Sequence, residues 1–264
     1  MLHDFQGLIT LMGGPKATEK KLDELFTKQI SRSKFEFWAK FPDSTALVGQ
    51  FVMANEPSFS TPYLYNHVGT PWKTQKMLRT LLETFFPDDL HGIPGDEDGG
   101  GMTSWVVFSM MGFYPVTPGV PVYTLASPIF NDLSIKLQNG KYFRLTAANN
   151  SKENKYIQSV KLNGKPLDRL WFLHSDLVNG GHLELEMGGL PNRTFGISNP
   201  PPSSLMLDPA SLKQQEIRIG LLAKTSFSPA SHSKRLTPSP GSASSPVAIA
   251  AGPSPGGCGS GRWR

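Results

Sequence analysis

Apolar residues recur at helical spacing through the first part of the chain. Residues 4–13 predict a short helix, and a second helix is predicted to open at Thr18. The clearest pattern starts at Pro71, a residue tolerated in a first helical turn, and it stops before Pro87. Residues 102–111 are apolar nearly all round, which predicts a helix buried on most sides.

After Gly112 the pattern changes to short alternating runs. Asn139-Gly140 and Asn163-Gly164 lie between runs, and Asn-Gly in that position is a strong hairpin signal. The runs are 121–126, 132–137, 141–147, 156–162, 169–173 and 182–187. Regular short strands predict an antiparallel β-sandwich over residues 119–222, with a domain boundary near residue 118. The fold class predicted is therefore α+β.

The net positive charge of the chain comes from its C-terminal residues. The formal net charge is +5, and no acidic residue occurs in 224–264. The basic residues there are Lys224, Lys234, Arg235, Arg262 and Arg264. Because the body is balanced and lacks a basic stripe, we predict no nucleic-acid partner. Residues 223–264 are predicted to be a disordered basic tail rich in Pro, Ser and Gly, after a possible last strand near 215–222.

Three further features limit the class of protein. A single cysteine, Cys258, cannot form a disulfide framework within one chain. No run of roughly 18 apolar residues is present, so no membrane span is predicted. The N-terminus lacks the basic-then-apolar pattern of a signal peptide, which leaves the compartment open between secreted and cytosolic.

A glycine-rich acidic stretch at 92–101 precedes the apolar run at 102–111. Asp96 and Asp98 are two residues apart, so in an extended loop their side chains would point the same way. Two such carboxylates split their pKa values, which suits a general base. A solvated acidic turn is the alternative, whereas an EF-hand calcium loop is excluded because Gly100 stands where that pattern needs an acidic or amide residue.

Two other residues carry weaker signals. Glu56 precedes a proline and is therefore expected to be held extended in a loop, where it is either a site residue or a solvated carboxylate. Trp72 is a candidate for stacking on a sugar ring, although a tryptophan at the start of an apolar helix is more often part of the core.

Several short motifs occur together in a fixed order. They are Asn55-Glu56-Pro57-Ser58, Pro62-Tyr63-Leu64-Tyr65-Asn66, Pro71-Trp72-Lys73-Thr74-Gln75, Gly95-Asp96-Glu97-Asp98-Gly99, Ser104-Trp105 and Gly112-Phe113-Tyr114-Pro115-Val116. The set resembles the C-terminal part of glycoside hydrolase family 92, calcium-dependent exo-acting α-mannosidases that mostly cleave α-1,2 linkages. The resemblance runs from about His3 to about Gly196.

The resemblance implies a fold and a set of roles. Residues 1–118 would be the last helices of an (α/α)6 catalytic toroid. Asp96 and Asp98 would be the general-base carboxylates of an inverting reaction that trims mannose from N-glycans and glycoproteins. Asn55 and Glu56 would bind both substrate and Ca²⁺, and Trp72 would contact the sugar.

The chain also departs from the family pattern. His3-Asp4 resembles the close of a Pro-His-Asp segment, and the general-acid glutamate is expected before it, upstream of residue 1. We therefore expect weak turnover or none from this chain alone, since general acid catalysis contributes on the order of 100- to 10,000-fold. A non-enzymatic carbohydrate-binding remnant and a non-functional gene fragment are the alternatives.

Overall fold

A computed structural model describes residues 3–203 of the chain. These residues belong to one compact unit. The predicted strand near 215–222 and the predicted tail at 223–264 lie outside the described residues. No described helix is both long enough and apolar enough to cross a bilayer.

Helices dominate the first part of the described chain. The α-helices are α1 (Phe5–Leu11), α2 (Pro15–Thr27), α3 (Lys34–Lys40), α4 (Pro71–Phe85), α5 (Gly101–Met111) and α6 (His174–Val178). Short 3₁₀ helices cover Glu56–Ser58, Thr61–Asn66 and Asp98–Gly100. The predicted opening of α2 at Thr18 is wrong, because the helix already begins at Pro15, whose fixed backbone angle suits a first turn.

Helix α3 was not predicted, although its sequence carries a start signal. Ser33 accepts a hydrogen bond from the Glu36 amide, and the Glu36 side chain accepts one from the Ser33 amide. This reciprocal arrangement is a capping box, which satisfies two amides that a helix end leaves unpaired.

Helix α5 is less buried than its all-round apolar sequence predicts. Met102, Trp105 and Ser109 are its buried residues, whereas the Val107 side chain is 49% exposed. The helix packs against α4 and against the short strand that follows it, so only part of its surface is covered by the described residues. The expectation of burial on most sides is therefore wrong for this part of the chain.

Residues 3–203 contain ten strands, six of which lie at the predicted alternating runs and four of which are short additions. They are β1 (Leu47–Val48), β2 (Phe51–Val52), β3 (Phe113–Tyr114), β4 (Val122–Leu125), β5 (Asp132–Lys136), β6 (Tyr142–Ala148), β7 (Tyr156–Leu162), β8 (Lys165–Leu167), β9 (Trp171–Leu173) and β10 (Gly181–Gly188). β1 and β2 form a small hairpin. The others form a three-stranded sheet, β3-β4-β9, and a five-stranded sheet, β5-β6-β10-β7-β8.

The expectation of purely antiparallel pairing is wrong at one position. Strand β10 pairs parallel to β6 and antiparallel to β7. Strands β6 and β7 run in opposite directions, so any strand inserted between them must be parallel to one of them. The insertion buries alternate β10 side chains, namely Leu183, Leu185 and Met187.

The described residues build two hydrophobic clusters. One joins the helices and includes Tyr63, Leu78 and Trp105, and the other joins both larger sheets and includes Phe113 and Phe172. The mixture of helices and sheets agrees with the predicted α+β class. The toroid, the sandwich and the boundary near residue 118 stay predictions.

Candidate active site

The acidic loop is a left-handed turn. Glu97 has helical backbone angles, and Asp98, Gly99 and Gly100 follow with φ of 54°, 65° and 108°. The loop is therefore not extended between Asp96 and Asp98. The condition under which these two side chains would point the same way is not met.

Glu97 caps the helix that the loop enters. Its Oε2 accepts a hydrogen bond from the Gly100 amide at 2.5 Å, and its Oε1 accepts one from the Thr103 amide at 3.1 Å. Hydrogen bonds from the Thr103 hydroxyl and from these two amides lower the pKa of Glu97. A carboxylate at this position also faces the positive end of the α5 dipole. The sequence reasoning missed this residue, although an acidic residue just before an apolar helix is a known start signal.

Two close approaches join the acidic loop to the Asn55-Glu56 loop. A Cβ on Gly95 would lie 2.5 Å from the Ala54 Cβ and 2.6 Å from the Ala54 carbonyl oxygen. A Cβ on Gly101 would lie 3.5 Å from Glu56 Cγ. The two motifs, some forty positions apart in sequence, are thus in contact on both sides of Asp98.

Asp98 and Glu56 form a carboxyl pair. The pKa of Asp98 is raised, first by a side-chain hydrogen bond with Glu56, then by desolvation and by the charges of Glu56 and Glu97. Two carboxyl groups share a hydrogen bond only when one of them carries a proton. Both residues are exposed, so water has access to the pair. When both groups are ionised, Asp98 can take a proton from a water molecule and share it with Glu56, which is what a general base does.

Asn55 lies beside this pair. It immediately precedes the 3₁₀ helix that begins at Glu56, so the expected extended conformation of Glu56 is wrong, and the Asn55 side chain makes no capping hydrogen bond to that helix. Its amide oxygen is therefore not used in closing the turn, and the residue is exposed. Asn55 and Glu56 accordingly stand next to Asp98 in one acidic patch.

Trp72 contacts a different set of side chains. The Arg193 guanidinium carbon lies 5.1 Å from the centre of the Trp72 ring, and the Lys73 Nζ lies 5.6 Å from it. Trp72 also lines a cavity of about 180 Å³ together with Asp23 and Tyr65. None of these contacts involves the Glu56–Asp98 pair, so a shared site with Trp72 stays a prediction.

Calcium takes six to eight oxygen ligands from carboxylates, amides, carbonyls and water. The carboxylates of Glu56 and Asp98 and the amide of Asn55 are donors of that chemistry. Within residues 3–203 no cluster of three or more His, Cys, Asp or Glu side chains is arranged for a metal. A calcium ion here would therefore rely on amide, carbonyl and water oxygens besides the two carboxylates.

The chain matches a protein-family model over residues 1–189, that of the glycosyl hydrolase family 92 catalytic domain. The chain belongs to glycosyl hydrolase family 92. This family 92 chain is 37% identical over 189 residues to an uncharacterized secreted glycosidase of Arthroderma benhamiae, a match that covers 70% of this chain and 22% of that protein.

Solved family 92 enzymes are similar in structure. One is a Bacteroides thetaiotaomicron α-mannosidase in complex with mannoimidazole, with a TM-score of 0.70 and 31% identity, covering 83% of this chain and 29% of that chain. Another is an inverting mannosidase of the same species, with a TM-score of 0.65 and 35% identity, covering 76% of this chain and 28% of that chain. The family 92 chain thus spans less than a third of the length of these relatives.

Proposed function

We propose that this chain carries the general-base side of an inverting α-mannosidase site. The observation that supports the proposal is the Asp98–Glu56 carboxyl pair at the N-terminus of α5, in a chain of family 92. A solved relative is described as an inverting mannosidase, which favours the same stereochemistry here.

In the proposed reaction Asp98, as a carboxylate, takes a proton from a water molecule. That water attacks the anomeric carbon on the face opposite the leaving oxygen, so a C–O bond forms while the glycosidic C–O bond breaks. A second carboxyl group protonates the leaving oxygen, and inverting enzymes hold the two groups about 6.5–9.5 Å apart. Asp96, two residues before Asp98, is proposed as a second carboxylate that assists Asp98 as general base.

Substrate binding is assigned to the neighbouring loop. Glu56 and Asn55 are proposed to bind sugar hydroxyls and to hold a calcium ion, and Trp72 is proposed to contact the sugar ring. Calcium, when bound, would supply a hard positive charge for hydroxyl oxygens. Glu56 would thereby serve both the ion and Asp98.

We propose mannose-containing glycans of glycoproteins, with α-1,2-linked ends, as the substrate class. A family 92 relative is described in complex with mannoimidazole, and a curated relative is described as secreted, which agrees with action on external glycoproteins. Weak turnover or none by this chain alone remains our expectation, because a separate general acid is needed.

The proposal is tested with the purified chain and an α-1,2-mannobiose. Released mannose is followed by NMR with calcium and then with a chelator, and mannoimidazole binding is followed by calorimetry. We expect chelator-sensitive binding, and any turnover should release the β-anomer first. Where turnover is measurable, Asp98→Asn should lower it about 100- to 10,000-fold, whereas Asp168→Asn, in the sheet region, should leave it unchanged.

The outcomes separate the alternatives. Binding without turnover by soluble protein would favour a carbohydrate-binding remnant. Neither binding nor turnover, together with insoluble protein, would favour a gene fragment. First release of the α-anomer would contradict the inverting mechanism.

A further inference from the structure

Asp98 is held in the left-handed region of backbone space, which few non-glycine residues adopt. It is the one non-glycine residue in the run Asp98-Gly99-Gly100, all with positive φ. A left-handed backbone costs a residue with a Cβ free energy, because the Cβ approaches the following carbonyl oxygen. Contacts around the turn therefore contribute to holding Asp98 in this conformation.

Glu97 holds that turn closed with both its backbone carbonyl and its side-chain carboxylate. Its carbonyl oxygen accepts a hydrogen bond from the Met102 amide at 3.2 Å. Its carboxylate spans the turn, accepting from the Gly100 amide at 2.5 Å and from the Thr103 amide at 3.1 Å. Asp98 lies inside the ring that these hydrogen bonds close.

We propose that Glu97 is the positioning residue that turns the Asp98 carboxyl toward Glu56. The inference rests on the proposed function of Asp98 as general base and deepens it. Glu97 acts through the backbone of the turn, since its own two oxygens are occupied by amides. A substitution that opens the ring releases Asp98 from the left-handed region and separates the pair.

Comparison with the cap of α3 shows what is unusual about the Glu97 arrangement at α5. There Ser33 occupies the cap position with φ of −63° and ψ of 149°, and Glu36 returns the hydrogen bond. That cap involves no left-handed residue and no acidic partner from another loop. At α5 the cap residue is Gly100 with φ of 108°, and the side-chain cap comes from Glu97, three residues earlier.

The opposite side of the loop is fixed independently of Glu97. Gly95 is packed against Ala54, which leaves no room for a Cβ. Loss of Glu97 therefore frees the turn from Asp98 onward while the start of the loop stays in place. This makes the effect on Asp98 local and measurable.

The test compares Glu97→Ala and Glu97→Gln with the matched cap variant Ser33→Ala in α3. Glu97→Gln keeps one carbonyl acceptor, so it should retain the turn, whereas Glu97→Ala removes both acceptors. Amide hydrogen exchange at Gly100 and Thr103 should accelerate about tenfold in Glu97→Ala, as expected for loss of a helix cap. Ser33→Ala should accelerate exchange only in α3.

Crystal structures of the two Glu97 variants provide the decisive measurement. In Glu97→Ala we expect Asp98 to leave the positive-φ region and to lose contact with Glu56, and in Glu97→Gln we expect both features to remain. Where the chain turns over α-1,2-mannobiose, kcat should fall in Glu97→Ala with little change in KM and recover in Glu97→Gln.

An unchanged Asp98 in the Glu97→Ala crystal structure would overturn the inference. So would equal losses in the Ala and Gln variants, which would indicate a role of the charge itself. Absence of mannoimidazole binding by the unmodified chain would count against the proposed function alone, since neither the exchange nor the crystal measurement depends on a sugar.

Discussion

His67 is a histidine that folding keeps neutral. Its side chain is buried against the Phe5 ring, with ring centres 5.0 Å apart, and its Nε2 has no hydrogen-bond partner. Burial lowers its pKa from 6.5 to about 4. Between these values the unfolded chain binds a proton that the folded chain does not, so protonation favours unfolding.

The stability of the protein should therefore fall in mild acid. The contribution of His67 is fully present above about pH 6.5 and is lost as the pH falls toward 4, amounting to about 3 kcal/mol over that window. His67→Leu removes the titrating group and should flatten the pH dependence. Urea unfolding of both proteins between pH 7 and pH 4 measures this, and parallel curves would show that His67 is not responsible.

Gly95 holds the acidic loop against the Asn55-Glu56 loop, and Gly95→Ala should separate them. Gly140→Ala is the matched control, because Gly140 also has positive φ (80°, against 66° at Gly95) but nothing lies within 4 Å of its Cβ position. The control should cost only the left-handed strain, about 1–2 kcal/mol. Gly95→Ala should cost about 1–3 kcal/mol more through overpacking.

Urea unfolding gives both free energies for this comparison, and calorimetry with mannoimidazole gives the effect on the site. We expect weaker binding in Gly95→Ala and unchanged binding in Gly140→Ala. Equal destabilisation in the two variants would mean that the loops move apart without cost.

At the site, the sequence could indicate which motifs matter but not which side chains meet. Glu56 and Asp98 were both identified as candidates, and their contact was not, because it depends on a left-handed turn and a long-range approach. The spacing of Asp96 and Asp98 favoured a different pair under an extended backbone. The helical backbone angles of Glu97 do not provide that extended geometry, so a shared role for Asp96 stays a proposal.

Helix α5 places a polar residue inside an apolar core. Ser109 is fully buried, and its hydroxyl lies 2.9 Å from the hydroxyl of Tyr63, which is also fully buried. Burial raises the pKa of Tyr63, so the phenol stays neutral. The pair joins α5 to the 3₁₀ helix at Thr61–Asn66, because each hydroxyl satisfies the other.

The losses of stability caused by removing each hydroxyl of this pair separately should sum to more than the loss caused by removing both together. Ser109→Ala leaves the Tyr63 hydroxyl buried without a partner, which costs about 1–3 kcal/mol. The double variant with Tyr63→Phe should be less destabilised than the sum of the single variants, by about 0.5–3 kcal/mol. Urea unfolding closes the cycle, with exposed Ser104→Ala as the control on the same helix; strict additivity would contradict the coupling.

Elements with a strong local period were predictable, and elements defined by distant partners were not. The alternating runs at 132–137, 141–147 and 156–162 correspond to β5, β6 and β7. They were predictable because alternate burial along a strand requires alternating apolar and polar residues in the local sequence. The parallel β6–β10 pairing was missed, because β10 returns from beyond α6 to insert between strands that precede it. Short strands such as β8 carry too few residues to show a period.

Helix α4 connects the two hydrophobic clusters of the described chain. Arg79 is buried, and it donates hydrogen bonds to Ser127 Oγ at 2.9 Å and to Asn150 Oδ1 at 2.5 Å. One turn earlier, Gln75 Oε1 accepts a hydrogen bond from the buried Ile157 amide at 2.9 Å. One face of a helix from the first cluster thus satisfies polar groups around the sheets.

Gln75 offers the cleanest test of that connection, because its partner is the buried backbone amide of Ile157. Gln75→Met keeps the length of the side chain and removes the acceptor, so the free energy of unfolding should fall by about 1–3 kcal/mol. The exposed neighbour provides the control, Lys76→Met, which should change stability by less than about 0.5 kcal/mol.

Hydrogen exchange shows where the loss of stability lies. In Gln75→Met, exchange at the Ile157 amide should accelerate more, relative to the unmodified protein, than exchange at the amides of α4. The Ile157 amide loses its acceptor, whereas the helix keeps its own hydrogen bonds. If Gln75→Met and Lys76→Met destabilise equally, or if exchange accelerates in α4 and β7 alike, the two clusters are held together by their apolar contacts and not by this face of the helix.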